Sequence, residues 1–154
     1  MDKSLKSGFR FDRYFVDHIE FKLNRELLNN GEIINVDLDT VFEVGFSLDP
    51  DEKQALISLD CKIFDEFYVN NFPFYIHVRL VGEFSIEGDA SSNDFVKFCE
   101  VNGTAALFPY LRSTVSTITA LAGVPSLNLP LINIYKLIES QKQEEITNDD
   151  EKES

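Results

Sequence analysis

The chain is short of the residues with which most enzymes and nucleic-acid binders work. Its 154 residues hold two histidines, His18 and His77, and two cysteines, Cys61 and Cys99. No glycine-rich phosphate loop or nucleophile elbow accompanies the histidines, which argues against an enzyme. The cysteines form no close metal-binding or redox pair, so no disulfide, metal or other cofactor is expected. The opening MDKSLKSGFRF has neither the apolar run nor the small-residue cleavage site of a secretory signal, and the setting that follows is reducing and cytoplasmic. Basic residues are also scarce: 14 against 27 acidic ones give a formal charge of -13. Such a surface repels phosphate backbones and anionic headgroups, so nucleic acid is not expected as a partner. A membrane helix needs about twenty continuous apolar residues. The candidate stretch between Arg112 and Lys136 has no charge, but Gly123, Pro125, Asn128, Pro130 and Asn133 interrupt it. Direct membrane insertion is therefore not expected.

What is present fits one domain with one core. From Thr104 to Ala122 the apolar positions Leu107, Leu111, Val115, Ile118 and Ala122 fall on one helical stripe, with Pro109 near the first turns. Ser113, Ser116, Thr117 and Ala120 lie opposite, small enough for a second surface to come close. Gly123 supplies a stop, and the prolines of VPSLNLPLI exclude regular helix, so this segment reads as a loop. Asn133 can cap a second helix whose Ile134, Leu137, Ile138 and Gln141 share a face. That helix is expected to fray near Lys142. The remainder, QKQEEITNDDEKES, is dense in negative charge and has almost no apolar content, which predicts disorder. The organisation expected is a domain over 1–142 and a disordered acidic tail over 143–154.

Upstream the period changes to two. Phe74, Ile76, Val78, Leu80, Phe84 and Ile86 alternate with Tyr75, His77, Arg79, Glu83 and Ser85; Ala55, Ile57, Leu59, Cys61 and Ile63 alternate with Gln54, Ser58, Asp60 and Lys62. A third run from Ile34 to Leu48 behaves alike, and LDPDEK and YVNNFP supply the turns of a meander. Phe9, Phe11, Phe15, Ile19 and Phe21 share one parity that Arg13 and Asp17 interrupt, and a bulge would reconcile them. The fold class expected is α+β, a four-stranded antiparallel sheet followed by two helices, with one sheet face wet and the other in need of a cover. Two short helices cover little, and oligomerisation would enclose the remainder.

The segment LFPYLRSTVSTITALAGVPSLNLPLINIYKL (Leu107 to Leu137), with GEFSIEG (Gly82 to Gly88) and more weakly FRFDRYFVDHIEF (Phe9 to Phe21), resembles the signature of the SecB family of protein-export chaperones. Departures are Val124, where phenylalanine is usual before Pro125, and Leu111, where alanine is usual before Arg112. The resemblance implies a cytoplasmic chaperone without ATPase activity, assembled as a homotetrameric dimer of dimers. It would hold unfolded precursor proteins in apolar grooves and pass them to the translocation ATPase SecA. SecB-like chaperones also serve toxin–antitoxin systems, so an antitoxin is the alternative client.

Within that frame the client groove is assigned to Val124, Leu127, Leu129, Leu131 and Ile132, although Leu127, Leu129 and Leu131 could equally fold down to close the core. Leu111, Val115 and Ile118 are assigned to the oligomer interface. The resemblance also implies an acidic patch on the outer sheet face that receives the basic tail of SecA. Here His18, Lys22 and His77 stand where its carboxylates are expected, so SecA binding is expected to be weak or absent.

Overall fold

The computed structural model describes residues 8–29, 38–49, 51, 53–87 and 92–153. Strands β1 (Phe9–Leu23), β2 (Thr40–Asp49), β3 (Gln54–Ile63) and β4 (Phe74–Ile86) form one antiparallel sheet in the order β1-β4-β3-β2. The α+β reading and the four-stranded sheet hold, and β3 and β4 occupy the runs their alternation marks out. The Ile34–Val36 part of the expected second strand lies outside the described residues.

β1 needs two bulges rather than one. Its pairing with β4 shifts between Phe11 and Arg13 and again between Val16 and His18. Each extra residue reverses the side on which the next side chain emerges. Phe15 is therefore paired with Val81 on the outer face, while Tyr14 and Val16 take the core side opposite Gly82 and Leu80. The expected placement of Phe15 with Phe11 and Ile19 is corrected by this double inversion.

Helix α1 (Arg25–Asn29) follows β1, and a longer helical run covers the core face of the sheet: α2 (Ser92–Phe98), a π-helical turn (Cys99–Gly103) and α3 (Thr104–Leu121). The sequence reading missed the first two pieces. Gly103 is where this run meets the sheet, because a Cβ there would overlap Ile57 Cδ1. Side chains of Ile57, Leu59, Val78, Leu80 and Phe84 from the sheet pack with Phe95, Leu107, Leu111 and Val115 from the helices in one core. Gly123, at φ 81°, ends α3 in the left-handed region.

Helix α4 (Ile134–Glu153) begins as expected: the Asn133 side-chain oxygen accepts the Lys136 amide at 3.0 Å. It does not stop near Lys142. Helix continues through the acidic segment expected to be disordered, which is rich in the good helix formers Glu, Gln and Lys. Residues 142–152 are all exposed, so this length of α4 adds nothing to the core and draws on local helix propensity.

Candidate functional site

The uncharged loop between α3 and α4 is folded back along α3. The Leu127 amide donates to Thr119 Oγ1 at 2.8 Å, Ser116 and Ser126 hydroxyls lie 3.0 Å apart, and Arg112 Nε donates to the Leu129 carbonyl at 2.8 Å. Pro125 and Pro130 have no amide to satisfy, and side chains of α3 take up the Leu127 amide and the Leu129 carbonyl between them. These anchors were not among the expected site residues. Arg112 alone gave a signal, as the last charge before the apolar stretch.

Backbone pinned at these points splits the five expected groove residues. Leu129 is 0% exposed and belongs to the core, so its assignment to the groove is corrected: the Arg112 anchor turns its side chain inward. Leu131 is 80% exposed, whereas Val124, Leu127 and Ile132 are half-buried against the core with one flank open. Leu121 and Tyr135, just before and after the loop, are also exposed. Between Arg112 and Lys136, a stretch without charge, Val124, Leu127, Leu131 and Ile132 thus all keep apolar side chains at least partly exposed.

The expected oligomer interface is corrected at two of its three residues, Leu111 and Val115. Leu111 and Val115 are fully buried within the single chain against the sheet, and Ile118 is packed on the same core. What α3 offers outward is Tyr110, Ser113, Thr117 and Ala120. Beside it the inner side of edge strand β1 is uncovered: Tyr14, Val16 and Ile19 are exposed, Ile19 by 51%, and the Tyr14 and Tyr110 rings lie 4.3 Å apart.

On the outer sheet face His18 and His77 meet, their ring centroids 4.6 Å apart. His77 Nε2 bonds Asp60 Oδ1, and Arg79 donates to Asp60 Oδ2 from Nη2 at 2.6 Å and from Nε at 2.9 Å. Asp60 is 9% exposed. Burial opposes its ionisation, but the hydrogen bonds and charges of Arg79 and His77 prevail and hold its carboxyl below the ordinary value. Asp17 lies 3.9 Å from Arg79, Glu20 lies 3.8 Å from His18, and Lys22 lies 3.7 Å from Glu20. His18, Lys22 and His77 are therefore on one face as expected, each beside a carboxylate. His77 is half-buried, not solvated.

The cysteines are buried and unpaired, and burial pushes the Cys61 thiol up to about 12 and the Cys99 thiol to about 11. Neither supplies a thiolate at neutral pH. No helix among the described residues is long and apolar enough to cross a membrane.

Comparison with known proteins adds independent findings. The family model described as preprotein translocase subunit SecB matches residues 32–145. An uncharacterized protein of Methanocaldococcus jannaschii is 33% identical over 148 residues, 94% of this chain and 93% of its own length. The protein-export protein SecB of Anaplasma phagocytophilum is 30% identical over 101 residues, 62% of this chain and 64% of its own. A SecB-like chaperone of Mycobacterium tuberculosis, solved in complex with a ChAD peptide from the HigA1 antitoxin, has the same fold. It matches with a TM-score of 0.61 over 81% of this chain and 88% of that one, at 15% identity.

Proposed function

The chain belongs to the SecB family, and from that premise we propose that it is an ATP-independent chaperone that holds non-native polypeptides on the apolar strip of Val124, Leu127, Leu131 and Ile132. The observation that carries this reading is the strip itself, since a chain with charge elsewhere in plenty keeps a long uncharged segment partly open. Contacts of about 25 cal/mol per Å² hold any short segment weakly once its ordering cost is met, yet several segments of one unfolded client add through effective concentration. Folded proteins, which bury such segments, would not be held. Suppression of the aggregation of a denatured test protein without nucleotide tests the reading, and failure to suppress it at a molar excess contradicts it.

Self-association as a homotetramer belongs to the same proposal, in a cytoplasmic setting. The exposed Tyr14, Val16 and Ile19 on a 15-residue edge strand, beside the small residues of α3, are surface that a second copy would cover. The second reading is a chaperone dedicated to an antitoxin. The outer face favours it over general export: where the family's acidic patch is expected, His18, Lys22 and His77 stand, and Glu20 and Asp60 beside them are already paired within the chain. Docking of the basic SecA tail would meet like charge or would have to displace these pairs.

A further inference from the structure

Strand β2 is an edge of the sheet among the described residues. Its neighbour β3 pairs with it on one side, Val44 standing opposite Leu59. On the other side the Val44 amide donates to the side-chain Oε1 of Gln141 at 3.1 Å. A primary carboxamide is the side-chain group that most resembles a peptide bond, and its oxygen stands where the carbonyl of a fifth strand would stand. Because edge-directed groups recur at every second residue of an antiparallel strand, the backbones of Phe42, Phe46 and Leu48 point the same way as that of Val44. Their side chains are half-buried against the core, so the edge is backed by apolar surface.

The helix that brings Gln141 there is held lightly at this level. Ile138 is its buried anchor, one turn earlier, and Lys142 Nζ contacts Glu100 Oε2 at 2.6 Å; beyond that α4 is exposed. Covering an edge amide with a helix side chain is a known protection against strand pairing, and a cover made by one carboxamide on a half-buried residue is removable.

We infer that the β2 edge takes an extended segment of client by strand addition, with Gln141 standing in for the client's peptide group until one arrives. This inference rests on the proposed holding function and adds how unrelated sequences are accepted: main-chain hydrogen bonds are common to every client, while the apolar backing takes alternate side chains. On binding, the Gln141 carboxamide leaves Val44 and a client carbonyl accepts that amide.

The test uses the full chain and a fluorescent peptide of roughly ten residues, rich in leucine and valine, with a copy bearing the same side chains on N-methylated amides. The copy is expected to bind about tenfold or more weakly, because it cannot donate to the edge. Hydrogen exchange at the Phe42 and Phe46 amides should slow only with the parent peptide. Gln141→Ala should tighten the parent about threefold by removing the competing acceptor. Equal affinity of the two peptides overturns strand addition and leaves the holding function standing. If a denatured test protein is held but the parent peptide is not bound, strand addition also falls. If neither is held, both readings fall together. A larger oligomer of Gln141→Ala with no gain in peptide affinity assigns the edge to a second copy and overturns the inference.

Discussion

Leu129 and Leu131 are two residues apart in an irregular loop, yet they have opposite fates. The Arg112 guanidinium fixes the Leu129 carbonyl, and with it the inward direction of that side chain. Leu129→Ala should therefore cost about 3 kcal/mol of stability through lost burial and the cavity it leaves. Leu131→Ser should leave the melting temperature within a degree or two of wild type, as measured by calorimetry, because its side chain is already in water. Asp60 gives a second residue-level test. Its folded pKa is depressed, so its contribution to stability is complete above the ordinary aspartate range near pH 4 and is lost as pH falls through the folded value. Wild type should accordingly lose melting temperature more steeply than Asp60→Asn on acidification below about pH 4. Parallel curves would mean that the Arg79 and His77 contacts do not stabilise the fold.

At the scale of elements, α3 has two faces with different duties. Val115→Asp should unfold the chain, since a carboxylate there has no partner in a dry core. Thr117→Asp, on the outward face, should leave the monomer folded and reduce the mass seen by light scattering if α3 joins copies; an unchanged mass would exclude this face from assembly. The α3 stripe was legible in sequence because leucine and valine at steps of three and four allow one helix face, and β3 and β4 because strict alternation allows one register. What the stripe could not show is whether it packs on its own sheet or on another subunit, since both bury the same side chains. β1 was legible as a strand, and the charges interrupting its parity pointed to a bulge, but its facing was not legible, because parity does not show that there are two bulges or where each one falls. The π-helical turn was hidden for a related reason: Gly103 reads as a breaker until the approach of Ile57 explains it. The outer-face departures were visible as histidines and lysine, but not their pairing with Asp60 and Glu20, which depends on strand register.

For the whole molecule, a charge of -13 and an open apolar strip are complementary properties, since repulsion keeps copies soluble while the strip stays available. The helical acidic end contributes to that charge without contributing to the core. Truncation after Lys142 should change the melting temperature little and weaken the preference for basic clients at low salt, an effect that should vanish above about 0.5 M salt as screening shortens. The central claim is that non-native chains are held on the loop between α3 and α4. The most direct measurement is nucleotide-free suppression of light scattering by a denatured test protein, comparing wild type with the Leu127→Ser/Leu131→Ser double variant. Wild type should suppress aggregation near stoichiometric amounts and the variant, with an unchanged oligomer and a melting temperature lowered only by the partial burial of Leu127, should need several-fold more at a temperature where both are folded; equal suppression by both would contradict the assignment of holding to this loop.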